Sequence, residues 1–430
     1  MKTSNNRAKP TALESQSIMK QFMQHFSFSQ KSIPAVCPKS IPAVCPKSIP
    51  AVCPKSIPAV CPKSIPVVSS NPTPTVRIRA PVKTPIKRYS DTKYVKKTEK
   101  ENDEKDEILD PIEQFTISPK RIIELSTLLT EFTTSKSYVP VIRSEPLYHN
   151  LVLSGGSLKG VSHIGALARL SQEGLIDLRR IKAIAATSAG AMLGLLLVLG
   201  LDLQEIWNII VNLDVTKIMN PDFGMLLTKC GVEIGQNLLD FFENLLTIKT
   251  GIQHINFRQL YKKTGIDFTI VGSCLTSRKP VYFNRQNTPT LKVSIAVRIS
   301  LSIPFLFVPV TVDDNKYIDG GILDNYPMTH FANELDKTIG IMICNEYSTI
   351  YQNIEEYVVA IINLFMHHFY ESQRDKWSAD TIYVYKTATK VNILDFNVDD
   401  ATKIELIKIG MEAAHEFVTK NVVSPITPSV

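Results

Sequence analysis

Tyr148-His-Asn-Leu-Val-Leu-Ser-Gly-Gly-Ser-Leu-Lys-Gly160 runs from a short apolar segment directly into a glycine loop. His149 to Ser154 reads as a short buried strand running into that loop. Beyond the loop, Val161, Ile164, Leu167 and Leu170 recur at three-residue spacing, so the stretch from Gly160 to Ser171 reads as a helix with one apolar face. Ile181 to Ala185 is the next apolar strand, followed by a turn of small residues and a second apolar helix. Strand, loop, helix, strand, turn, helix is the pattern of parallel strands joined by crossovers. Further strands are expected at Phe268 to Ser273, Lys292 to Ile295, Lys316 to Ile318, Thr338 to Cys344 and Thr381 to Tyr385. Helices are expected at Leu238 to Leu246, Ile354 to Ser372 and Thr402 to Thr419. The expected fold is an α/β domain of three layers, α/β/α, with a mostly parallel central sheet.

Gly155-Gly-Ser-Leu-Lys-Gly160 leaves a strand and enters a helix, so free backbone N–H groups and the helix dipole favour negative charge beside it. No Gly-Lys-Ser/Thr closes the loop, which excludes a Walker phosphate loop, and Ser157 breaks the dinucleotide fingerprint Gly-x-Gly-x-x-Gly. Ala186-Thr-Ser-Ala-Gly190 sits between an apolar strand and an apolar helix, the setting in which a sharp turn pushes a serine out of the sheet. Ser188 is therefore the candidate nucleophile. A Ser-His-Asp triad would need a histidine after it; His254, His330, His367, His368 and His415 are available, but none follows a strand in a glycine-marked turn. Asp319 does: Lys316-Tyr-Ile318 is the strand, and Gly320 and Gly321 let another backbone approach. An aspartate there can take a serine proton, and partial burial would raise its pKa toward that task.

These segments, together with Val297-Arg-Ile-Ser-Leu-Ser-Ile-Pro-Phe-Leu-Phe307 and Asp319-Gly-Gly-Ile-Leu-Asp-Asn-Tyr-Pro327, resemble the patatin-like phospholipases in content and order. The likeness covers about residues 148 to 420 and includes Asn392-Ile-Leu-Asp-Phe396 and the final helix. It departs from the family pattern at Ser157, where the loop has its third glycine, and at Ala186, where the elbow has its first. The resemblance implies a Ser188–Asp319 dyad without histidine, and an oxyanion hole from Gly155, Gly156, Ser157, Leu158, Lys159 and Gly160. It also implies an elbow flanked by Ala186 and Gly190, an Asp-Gly-Gly motif completed by Gly320 and Gly321, and a packing histidine at His163. The activity implied is cleavage of fatty-acyl esters, phospholipase A-like, with no metal or organic cofactor. The alternative is the same fold without activity, used to bind lipid or protein.

Outward from this core the chain changes character. Residues 31 to 62 are four copies of Lys-Ser-Ile-Pro-Ala-Val-Cys-Pro, and a partial fifth runs from Lys63 to Val68. Proline at every fourth position forbids a helix and removes donors from any strand, so extended disorder is expected across a leader of residues 1–110. The repeat cysteines lack Cys-x-x-Cys pairing and read as repeat expansion, not as a zinc site. The first 100 residues hold 18 Lys and Arg against 3 Asp and Glu, while the remaining 330 hold 30 against 38. The leader is basic and could bind an anionic surface; the rest is mildly acidic. Residues 111–147 read as a linker whose spaced apolar residues from Glu113 to Phe132 form an amphipathic helix, packed on the domain or lying on a membrane. The acyl hydrolase domain would occupy 148–421, with a tail at 422–430.

Seven cysteines with no framework spacing suit a reducing compartment, and residues 1–25 lack the apolar core of a secretory signal. The expectation is an intracellular protein, with membrane association and the need for an activator protein left open. Ala183 to Leu201 is uncharged across 19 residues, about the length of a membrane span, but its Thr187, Ser188 and glycines fit a buried strand and helix better.

Overall fold

The computed structural model describes residues 123–135, 145–344, 354–374, 376–377, 381–384 and 398–423, all within the unit Lys100–Val430. The leader with its repeat, residues 111–122, the stretch 392–396 and the end of the tail lie outside them.

Ten strands are used below: β1 (Asn150–Leu153), β2 (Ala183–Thr187), β3 (Gly231–Glu233), β4 (Asp267–Cys274), β5 (Lys279–Phe283), β6 (Phe305–Phe307), β7 (Val310–Val312), β8 (Asn315–Asp319), β9 (Thr338–Ile343) and β10 (Thr381–Val384). The principal helices are α1 (Leu125–Ser135), α2 (Ser162–Gln172), α3 (Ala189–Val198), α4 (Leu203–Asn212), α5 (Gln236–Thr250), α6 (Phe257–Thr264), α7 (Val293–Ser300), α8 (Ile354–Arg374) and α9 (Asp400–Val418). The main sheet of the described residues runs β10-β9-β1-β2-β4-β8-β7, with β5 also on β4. Strands β10, β9, β1, β2 and β4 are mutually parallel, whereas β5 and β8 run antiparallel to β4 and β7 antiparallel to β8. A separate ribbon pairs β3 with β6.

Alternation along the central strands sorts their side chains to two cores. Leu151, Leu153, Ile184 and Ala186 join the large core shared with α2, α3 and α9. Val152 and Ala185 face the other way, onto Tyr326, Met328, Phe331 and Trp377. The layer on that second side is thin, made of short turns after β8 together with α8, whose Tyr370 packs there.

The uncharged run from Ala183 is β2 followed by α3. Every residue of α3 except Met192 is buried, which accounts for a helix apolar on all sides. No helix among the described residues is long and apolar enough to cross a membrane. Helix α1 packs on the domain: Leu125 and Leu128 are buried, and the Leu125 N–H donates to Gln204 Oε1 on α4 at 2.7 Å.

The strand expected at Lys292 to Ile295 is instead the start of helix α7. Val293, Ala296, Val297 and Ser300 are all buried, at helical spacing. A four-residue window with Val293 and Ile295 alternating could not reveal that longer period.

Candidate active site

The site forms at the carboxyl ends of β1 and β2, where crevices open in such sheets. Register on β4 assembles it. Thr187 lies opposite Val271 and Asp319 opposite Gly272, so two consecutive β4 residues bring together groups 131 positions apart.

Ser188 follows β2 at φ 51°, ψ −123° and precedes the first turn of α3. A non-glycine residue at positive φ is strained, at roughly 1–3 kcal/mol. The strain points its side chain away from strand and helix. Gly190 permits the tight turn, because a Cβ there would overlap the main-chain oxygens of Leu153 and Ser154. Ala186 is fully buried in the large core, so the extra methyl relative to glycine is absorbed there.

Ser188 Oγ donates to Asp319 Oδ2 at 2.7 Å, while Asp319 Oδ1 accepts from the Gly321 N–H at 2.7 Å. Both side chains are buried, with residue exposures of 6% and 5%. Burial lifts the Asp319 pKa from 3.8 to about 7, against the lowering effect of the Gly321 and Ser188 hydrogen bonds. Gly320 allows β8 to end against β4, since a side chain there would strike the Val271 carbonyl.

In the glycine loop, the Gly155 N–H donates to the Asn325 carbonyl at 3.2 Å and is thereby occupied. Asn325 Nδ2 donates back to the Gly155 carbonyl at 3.4 Å, and Ser154 Oγ to the same oxygen at 2.9 Å. Gly156 and Ser157 line an open cavity of about 330 Å³ shared with Ser188 and Asp319; Leu158, Lys159 and Gly160 do not line it. Ser157 has φ 50°, the conformation that favours glycine. The far wall is apolar, from Ile303, Pro304, Ile322 and, on α8, Ile362.

No histidine lines this cavity among the described residues. His163 is fully buried, and its Nδ1–H donates to the Gly160 carbonyl at 2.8 Å. Burial pulls its pKa down to about 4, so it stays neutral and serves packing. His254 is on Glu243, His330 on Thr269 and His415 on Arg169. Of the cysteines in the described residues, Cys274 and Cys344 are buried and Cys230 is exposed, all as free thiols.

Three contributors escaped the sequence reading. Ser300 Oγ accepts the Ser188 N–H at 2.8 Å. The Asp324 carbonyl accepts from Thr187 Oγ1 at 3.0 Å, and Tyr282 holds the Asp324 carboxylate at 2.6 Å. Ser300 and Asp324 lie inside quoted motifs, but nothing in their spacing marks which group each one holds.

A mostly parallel sheet carrying a glycine loop, an elbow serine and a buried aspartate after an antiparallel strand defines the patatin class of α/β proteins. The family model for patatin-like phospholipase matches residues 151–332, and the chain belongs to that family. Uncharacterized protein R571 of Acanthamoeba polyphaga mimivirus is 30% identical over 289 residues, 64% of this chain and 96% of that protein. Probable lipid hydrolase 463L of Invertebrate iridescent virus 6 is 28% identical over 229 residues, 51% of this chain and 78% of that one. Among solved structures, VipD from Legionella pneumophila aligns with TM-score 0.44 and 18% identity, over 64% of this chain and 67% of that one.

Proposed function

We propose that this protein is a serine acyl hydrolase that releases fatty acid from ester-linked phospholipid, with Ser188 as nucleophile and Asp319 as general base and acid. The observation that carries this reading is the 2.7 Å hydrogen bond from Ser188 Oγ to a buried carboxylate, in a cavity with an apolar wall. A nucleophile and a base within hydrogen-bond reach are what covalent acyl transfer requires. The relationship to a probable lipid hydrolase supports a lipid as the substrate.

In the first step Ser188 Oγ bonds to the acyl carbon as its proton passes to Asp319 Oδ2. The carbonyl electron pair moves onto oxygen. Loop amides at Gly156 and Ser157 and the amino end of α3 stabilise that oxyanion; the Gly155 amide is engaged by Asn325. Collapse restores the carbonyl and breaks the bond to the alcohol, whose oxygen takes the proton from Asp319. Water then attacks the acyl-serine and gives its proton to Asp319. The second collapse frees the fatty acid and returns the proton to Ser188. A carboxylate with a pKa of about 7 can both accept and return a proton near neutrality.

The test is fatty-acid release from mixed phospholipid vesicles by wild type, Ser188→Ala and Asp319→Asn, each shown to be folded by circular dichroism. Release by wild type alone is the expected result. Equal release by Ser188→Ala would overturn the assignment.

A further inference from the structure

The backbone N–H of Ser188 is buried, and its partner is a side chain from a distant helix. Ser300 stands at the last position of α7, is 0% exposed, and accepts that N–H on its hydroxyl at 2.8 Å across 112 positions of sequence. Two residues on, the Ser302 carbonyl accepts the Asp319 N–H at 2.9 Å. One tight turn, Ser300-Leu301-Ser302, therefore grips the main chain of both members of the serine–aspartate pair.

The turn is itself anchored. Ser302 Oγ accepts from Arg298 Nη1 at 2.6 Å and donates to the Arg298 carbonyl at 2.7 Å. The Arg298 guanidinium, 3% exposed, also donates to the Ile234 carbonyl at 2.7 Å and lies 4.4 Å from the Phe307 ring centre. The turn is thus fastened to the β3–β6 ribbon on its outer side and to the elbow on its inner side.

From this arrangement we infer that Ser300 is a positioning residue for the proposed reaction, one half of a bracket that sets the Ser188–Asp319 separation by holding the strained elbow. The inference rests on the acyl-hydrolase reading for its kinetic consequence, and on geometry alone for its structural one. Without the Ser300 acceptor, a buried N–H loses its hydrogen bond and the elbow, at φ 51°, is free to relax. Ser188 Oγ then drifts from Asp319. A misplacement near 1 Å at a reacting group costs on the order of 100-fold in rate.

The experiment uses the full chain with Ser300→Ala, Ser300→Cys and Ser300→Thr. The first reading is the rate at which a fluorophosphonate probe labels Ser188. Cysteine keeps the branching of serine with a somewhat larger sulfur that is a weak acceptor, and threonine keeps the hydroxyl. Expected are labelling rates slower by roughly 10- to 100-fold for Ala and Cys and restored in Thr, with KM for a soluble ester unchanged. A Ser300→Cys protein that labels as fast as wild type would overturn the bracket, because packing alone would then be sufficient.

The second reading is amide hydrogen exchange across 183–198. Faster exchange at Ser188 in Ala and Cys, with wild-type protection in Thr, supports the bracket; equal protection in all four overturns it. A wild type that fails to label would sink the acyl-hydrolase reading, and exchange would still decide the bracket.

Discussion

The α2–α9 helix pair and the Ser188–Asp319 site both bring chain segments into very close approach, for opposite ends. Where α2 crosses α9, a Cβ on Gly165 would overlap the Ile407 carbonyl and one on Gly410 the Ser162 carbonyl; Leu406, Ile407, Met411 and Ala414 are buried around the contact. That proximity gains apolar burial at about 25 cal/mol per Å². At the site, the close neighbours are polar: Ser188, Ser300, Ser302, Asp319, Asp324 and Asn325 are all buried, and two serines sit at positive φ. There the same tightness holds a carboxylate out of water and a backbone under strain. The first region stabilises the fold; the second holds strain and a buried carboxylate, which the proposed reaction would use.

Five measurements can break or sharpen that contrast. Ser188→Ala should lower fatty-acid release by about 10⁴-fold or more and leave the thermal midpoint within about 2 °C. A large loss of midpoint would mean that the site supports the fold after all.

Asp319→Asn should be more stable than wild type. The folded protein keeps the Asp319 proton up to about pH 7, whereas the unfolded chain releases it near 3.8. Wild-type stability therefore falls as pH rises between those values, and the neutral amide escapes this loss, on the order of 4 kcal/mol at pH 8 and much less at pH 5. Denaturant midpoints at the two pH values check the sign.

Gly410→Ala should cost about 3 kcal/mol by urea unfolding, with activity per folded molecule within about twofold of wild type. A kinetic defect in the surviving folded fraction would couple the helix pair to the site.

The rate of release should rise with pH through about 7 as Asp319 ionises, tenfold per unit on the acid limb. A flat profile from pH 5 to 8 would remove Asp319 as the base.

Ser157→Gly is the smallest change. Relief of φ 50° and the added freedom of glycine in the unfolded chain oppose each other, leaving a gain of about 1 kcal/mol or less. Activity should change by no more than about twofold if Ser157 contributes only its backbone.

The contrast also explains how far the chain could be read in advance. Helices α2 and α9 were legible because each carries its own apolar period within a window of ten to twenty residues, and β1 and β2 because each is a short apolar run leading into a turn of small residues. So were Gly190 and Gly320, where small residues mark a forced approach. Helix α7 was not, since Val293-Ser-Ile-Ala suits either period until packing chooses. The β3–β6 ribbon was missed because strands of three residues leave no pattern. In the loop, sequence could not tell that Gly155 spends its amide on Asn325 while Gly156 and Ser157 face the cavity.

By itself, the order of residues determined the sheet-and-crossover class, the glycine loop, the elbow and the aspartate after its strand. These depend on neighbours within a few positions and on steric rules of the backbone. Tertiary structure alone decided that Ser300 holds the elbow, that Ile362 of α8 closes a wall of the cavity, and that Asp319 sits dry enough to titrate near 7. Those outcomes join residues more than 100 positions apart, and they exist only once β4 has set the register of β2 against β8.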